Sequence, residues 1–310
     1  MINTVLGSIS ADSLGDVLFH EHVVCCDPSM RMAFGERWFR RDELIEKAVR
    51  LFSAAKTECG VATIIDGTPA DLGRDIGIIR EVSERSGVNV VASSGVYTSE
   101  AITFAGKTPE RFARYFIEEC EKGVDGTDVR PGILKCATGE QGFTDINVMM
   151  LTTMAIVQRE TGLPLFAHNN HSAKTPFRQL EIFDAAGADL SKVVIGHASD
   201  SYDPDYLDDV LKSGCSLGFD RIYPGAYKRQ AKTIAALIAR GREDRIVLSH
   251  DFFAYVDFGD ADWESRKNDG YGRSFTTIHK QLLPELRELG VAEKQISKLV
   301  RKNPARLLSI

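Results

Sequence analysis

The sequence predicts an α/β chain folded as a closed (β/α)8 TIM barrel. Three observations carry that expectation. Eight short segments rich in Val, Ile and Leu recur along the 310 residues, as strands covered on both faces should read. Longer helix-forming stretches fill the gaps, and strands alternating with helices pair in parallel through right-handed crossovers. The first strand runs into His-Glu-His with no glycine-rich turn, which counts against an open doubly wound sheet. Eight strands close a barrel, and the chain length suits one.

The strands are expected at 16–22, 61–67, 89–97, 131–138, 164–170, 192–199, 215–222 and 244–252. Residues 1–15 precede them as a short N-terminal flap, and 1–310 is expected to be one domain. Among the helices, 41–59 sets Leu44, Ala48, Leu51 and Ala55 at helical spacing. The stretches 72–87 and 147–162 behave similarly. The latter stops at Gly162, with Asp145 or Asn147 expected to cap its start.

Composition narrows the function classes. The chain is 43% hydrophobic and 26% charged, with a net charge of −6 and no strongly basic segment, so nucleic acid is not an expected partner. No apolar run approaches the roughly 20 residues of a membrane helix, so no membrane span is expected. The N-terminus lacks the basic and apolar regions of a signal peptide. Six scattered cysteines with no CxxC pair point to reduced thiols in the cytoplasm.

Catalytic groups of such a barrel sit at the C-terminal ends of its strands. His20 and His22 end the first strand on one face, with Glu21 pointing away. His168 ends the fifth and His197 the sixth. His250 and Asp251 lie side by side in the eighth, and alternation lets only one of them face inward. His171, in a loop, and His279, in a helical run, read as incidental. Four histidines and a carboxylate on one barrel mouth form a metal site more readily than a packed core. Lys135 ends the fourth strand, where an inward ammonium is costly. It has three readings: a partner for an acid, a Schiff-base nucleophile, or a metal ligand after carbamylation by CO2.

Taken together, these residues resemble the phosphotriesterase family of the amidohydrolase superfamily. The likeness runs from GDVLFHEH (15–22) through GVATIIDGTPADLGRDI (60–76), Lys135 and IGHASD (195–200) to NPARLL (303–308). It implies two divalent metal ions per chain. His20, His22 and Asp251 would hold the first, and His168 and His197 the second. The Lys135 carbamate and a hydroxide would bridge them, with His250 packed behind Asp251. Zinc is the metal expected, and the same histidine and carboxylate donors suit iron, cobalt or manganese. The implied chemistry is hydrolysis, with Asp251 taking a proton and Asp200 helping to relay it. Asp200 and Asp220 also read as helix-capping or supporting acids.

The substrate follows less directly. Arg221 comes after Asp220 where organophosphate hydrolases of the family carry histidine, and Tyr97 ends the third strand. Both resemble the phosphotriesterase-like lactonases, which implies opening of N-acyl-homoserine or related lactones, with weak organophosphate triesterase activity. Tyr97 and Arg221 also read as a packed aromatic and an ion-pair partner. The loop after Asp251 is aromatic, and Phe252, Phe253, Phe258 and Trp263 are expected to line an acyl tunnel or bury a dimer interface. Lys228, Arg229, Arg266 and Lys267 keep a phosphorylated sugar lactone open, and each also reads as a surface charge. An amide or phosphoester hydrolase with the same metals is the alternative. A Schiff-base lyase or aldolase on Lys135 and a non-catalytic metal-binding barrel are the others. A homodimer is implied by resemblance alone.

Overall fold

The computed structural model describes residues 1–98, 100, 104–257 and 274–309. The N-terminal flap is an antiparallel hairpin of β1 (Ile2–Thr4) and β2 (Gly7–Ile9). Seven barrel strands follow: β3 (Asp16–Cys25), β4 (Val61–Asp66), β5 (Asn89–Gly95), β6 (Ile133–Ala137), β7 (Leu165–His168), β8 (Val193–Ile195) and β9 (Ser216–Phe219). The eighth position is split into β10 (Ile246–Leu248) and β11 (Phe253–Val256). All pairing in the large sheet is parallel, in the order β10-β9-β8-β7-β6-β5-β4-β3-β11.

The split strand closes the sheet on itself. β10 lies on β9, and β11 lies on the far edge, β3. Between them the Asp251 N–H donates to His20 O at 3.1 Å, and the His20 N–H donates to Ser249 Oγ at 2.7 Å. The single strand expected over 244–252 is broken because Asp251 takes a left-handed backbone (φ 51°). No regular ladder passes through that conformation, and non-glycine residues adopt it at a cost.

Helices α1 (Pro28–Phe34), α2 (Arg41–Cys59), α3 (Ile76–Ser86), α4 (Pro109–Lys122), α5 (Asp145–Thr161), α6 (Thr175–Ala185), α7 (Pro204–Leu211) and α8 (Tyr227–Ala239) punctuate the strands. In α2 the expected stripe holds: Leu44, Ala48 and Ala55 are buried and Leu51 is half-buried. The N-cap of α5 lies one residue before Asp145, the first of the two expected caps. Thr144 is its N-cap, accepting from the Asn147 N–H at 3.1 Å, and Gly162 ends it at φ 68°.

Two apolar clusters divide the core. The larger lies between sheet and helices. The smaller fills the barrel, with Val17 and Phe19 from β3, then Ile65, Val91, Ile133, Phe166, Val194 and Val247 from other strands. Ile2, Leu14, Leu307 and Leu308 join that interior cluster. Inward residues from nearly every strand make the interior solid, so ligands are left the mouth at the strand ends.

Candidate metal centre

At the end of β3, His20 and His22 share one face and both are buried. Each ring is aimed by a bond on its Nδ1. Asp220 Oδ2 accepts from His20 Nδ1–H at 2.7 Å. Thr68 Oγ1 gives its own proton to Val24 O at 3.1 Å, so it accepts from His22 Nδ1–H at 2.7 Å. Both Nε2 lone pairs therefore point into the site, and they converge on Asp251 Oδ1, at 3.8 Å from His20 and 3.3 Å from His22. An outer partner on the second nitrogen is what a ligating histidine needs.

The same contacts settle which residue of the eighth strand faces inward. Glu21, fully buried on the outer face, accepts from Ser249 Oγ, His250 N, His250 Nδ1 and Phe252 N. His250 Nε2 in turn accepts from the Ile278 N–H at 3.1 Å. Both nitrogens of His250 are committed, so Asp251 alone turns toward the mouth. Burial would raise the Asp251 carboxyl, but His20, His22 and Arg221 hold it well below the usual range.

The second pair sits across the barrel. His168 Nδ1 and His197 Nε2 face each other at 2.6 Å. His197, like Asp251, has a left-handed backbone (φ 57°). Asp220 Oδ1 accepts from its N–H at 2.6 Å and its Nδ1–H at 3.2 Å. One carboxylate at the end of β9 thus orients a histidine of each pair. Burial opposes its charge, yet His197 and His20 keep its pKa far down.

Lys135 lies between the pairs, with Nζ 2.7 Å from His20 Nε2 and 4.5 Å from the centroid of the Phe166 ring. No carboxylate among the described residues lies within ion-pair distance of its Nζ. Burial brings its pKa down to about 8, with Asp251 and Asp220 opposing. The packing around this centre is tight. A Cβ at Gly67 would lie 2.4 Å from His20 Cδ2, and one at Gly196 would lie 2.5 Å from Phe166 Cε1.

Among the described residues, two buried triads stand close enough to hold an ion: His20, His22 and Asp251, and His20, His197 and Asp220. In the second triad the Asp220 oxygens already accept imidazole and backbone protons, so it supports the ligands. The neutral Nε2 donors and the ionised carboxylate of the first triad suit a divalent ion. Half-buried His168 and buried His197 suit a second beside it, with Lys135 between the two positions.

A cavity of about 420 Å³ opens over the centre. Tyr97 lines it, with its hydroxyl 3.3 Å from His168 Nδ1. Both Asp71 oxygens accept from the Tyr97 N–H at 2.8 and 3.0 Å. Burial first, then the charge of Asp251, keep the phenol protonated well above its ordinary value. Arg221 also lines the cavity. Its Nε–H donates to Asp251 Oδ2 at 3.0 Å and its Nη1–H to Asp200 Oδ2 at 2.7 Å. The expected relay from Asp251 to Asp200 is therefore interrupted. A guanidinium has no acceptor site, and Asp251 and Asp200 hold this one charged despite its burial.

The aromatic expectations divide. Phe253 lines the cavity and stacks on His22 at 4.7 Å between centroids. Phe252 is not in the cavity. It alternates outward from Asp251 into the outer core, 4.8 Å from the Phe275 ring. Phe258, Trp263, Arg266 and Lys267 lie outside the described residues. Arg229 packs over the Tyr202 ring at 3.7 Å. The two incidental histidines are bonded: His171 to Tyr206 and Gly196 O, His279 to Asp16. Thr68 and the grip of Glu21 were not anticipated. Thr68 carries no signal beyond following the second strand end.

Residues 1–308 match the phosphotriesterase family. The chain is 31% identical over 318 residues to a phosphotriesterase homology protein of Mycobacterium tuberculosis, covering 99% of this chain and 97% of that one. It is 30% identical over 311 residues to an aryldialkylphosphatase of Saccharolobus solfataricus, with 97% of each chain covered. An N-acetyltaurine hydrolase of Tetraodon nigroviridis is 26% identical over 353 residues, covering 99% of this chain and 97% of that one. The solved structure of the phosphotriesterase from Mycobacterium tuberculosis superposes with a TM-score of 0.91 at 31% identity, covering 99% of this chain and 98% of that one. With its buried histidine and aspartate donors, the chain belongs to the phosphotriesterase family and is a metal-dependent hydrolase.

Proposed function

We propose that this hydrolase opens lactones. The observation that carries the reading is the joint placement of Tyr97 and Arg221 on the cavity over His168 and Asp251. Two ions held by His20, His22, Asp251, His168, His197 and carbamylated Lys135 would polarise the ester carbonyl and supply a hydroxide nucleophile at neutral pH. Tyr97, kept protonated, donates a hydrogen bond to a lactone oxygen. Leu72 and Phe253 present apolar walls to the ring. Asp251 takes the proton, and Arg221, anchored by Asp200, holds that carboxylate in place. Zinc is the metal we assign, in a single-domain homodimer of the cytoplasm. Among the described residues no helix is long and apolar enough to cross a membrane.

The relative named aryldialkylphosphatase supports a side activity on phosphotriesters. Relatives named N-acetyltaurine hydrolase favour an amide as the second reading, because the same centre polarises either carbonyl. The test is metal content and lactone opening, followed by proton release, in one chelator-free preparation. About two metals per chain with turnover, both lost in Lys135→Ala, are expected. Two metals without lactone turnover would reject the lactone and lead to amide and phosphoester panels. An active metal-free protein trapped on its substrate by borohydride would return Lys135 to the Schiff-base reading.

A further inference from the structure

Resting on the lactone reading, we propose that a second lobe of the site binds a neutral, hydroxyl-bearing part of the substrate. The lobe has a volume of about 540 Å³ and shares Tyr97, His168, Asp200 and Arg221 with the metal cavity. The two lobes differ in chemistry. Beyond the shared residues and the proposed metal ligands, the described residues walling the first are Cys25, Leu72, Tyr223 and Phe253. The second is lined by amides and hydroxyls, among them Gln141, Asn169, Asn170 and Ser172.

Two amides of this lobe have unmet hydrogen-bonding capacity. Asn169 is 2% exposed. Its Nδ2 donates to Ala167 O at 3.2 Å and Gly196 O at 2.7 Å, while its Oδ1 is buried with no partner. A buried acceptor without a donor is unfavourable, and such groups in native proteins call for an explanation. Next to it, Asn170 Oδ1 accepts from Ser172 Oγ at 2.6 Å and Ala173 N at 3.2 Å. Asn170 Nδ2 has no partner among the described residues. One residue offers an acceptor and its neighbour a donor.

A hydroxyl both donates and accepts, so it matches that pair. An alkyl chain would leave both amides unpaired. An anion is disfavoured, because among the described residues Arg221 is the one cation lining the lobe beside Glu140 and Asp200, and two carboxylates already occupy its Nε and Nη1. The substrate is therefore bipartite. Its ring carbonyl lies over the metals, and a hydroxylated substituent points toward Asn169 and Asn170.

Two γ-lactones matched in size test this, one with a dihydroxyethyl side chain and one with an ethyl side chain. On the zinc-loaded protein the hydroxylated lactone is expected to have a kcat/KM at least about tenfold higher, as for a site built to pair a hydroxyl. Asn170→Ala should reduce that ratio, and Gln141→Leu serves as the second variant if Asn170→Ala loses its metals. Equal turnover of the two lactones, or a ratio that survives both variants, would overturn the lobe and leave the lactonase standing. If neither lactone opens, the lactone reading fails on its own. Calorimetry with the two ring-opened acids then decides the lobe: tighter binding of the hydroxylated acid supports it, and equal binding overturns it.

Discussion

Replacing Asp220 with asparagine should weaken both metal positions through one residue that binds neither ion. Asp220 accepts three bonds: His20 Nδ1–H at 2.7 Å, His197 N–H at 2.6 Å and His197 Nδ1–H at 3.2 Å. Asparagine is nearly isosteric but has only one acceptor oxygen. If that oxygen keeps His197, an NH2 group faces the Nδ1–H of His20. The His20 proton must then move to Nε2, which removes the lone pair that points at the first ion. If the amide flips, His197 suffers instead. Loss of such a supporting partner typically costs ten- to a hundredfold in metal affinity, or about 1.4–2.7 kcal/mol. Equilibrium dialysis against a zinc buffer, with metals counted per chain, measures it. Melting with and without chelator gives a second readout, since a bound ion stabilises by mass action. Wild-type affinity at both positions would refute the reasoning. So would a lower melting point in the metal-free state with unchanged zinc affinity, because Asp220 would then be a packing residue only.

Thr68→Val keeps the shape but removes the acceptor for His22 Nδ1–H; about a tenfold loss at the first ion is expected, with the second retained, and equal loss of both would contradict the geometry. Gly67→Ala drives a Cβ into His20; overpacking of about 1–3 kcal/mol and weakened metal retention should appear together in melting and dialysis, and an unperturbed melt would refute the contact. At the other end of β3, burial raises the Asp16 carboxyl, but its bonds to His279 and Arg301 hold it below its ordinary 3.8. A lowered folded pKa stabilises above 3.8 and is lost as pH falls below it through the folded value. Asp16→Asn should therefore cost stability at pH 7 and progressively less below pH 3.8, read from urea midpoints. A gap between the proteins that does not narrow in acid would contradict the pairing.

Local pattern made the barrel legible. Val- and Ile-rich segments of strand length, alternating with amphipathic stretches such as 41–59, leave little choice of architecture. The candidate ligands were legible because strand geometry is regular: two residues apart means one face, so His20 and His22 had to point together. Strand ends also place His168, His197 and Lys135 at one mouth. None of this needed a contact between distant parts of the chain.

What the sequence by itself determined was thus the order of elements and the set of side chains at the mouth. Tertiary structure decided the rest. Alternation could not choose between His250 and Asp251; Glu21 and the Ile278 N–H chose, from 229 and 28 residues away. The left-handed turn at Asp251 then split the last strand and sent Phe252 into the outer core. Arg221 came between Asp251 and Asp200, and Asp220 became the shared support of both histidine pairs. Each outcome depends on which buried donor meets which buried acceptor across the closed barrel. Unpaired polar groups in that interior are costly, and their partners are set by the closed fold rather than by spacing along the chain.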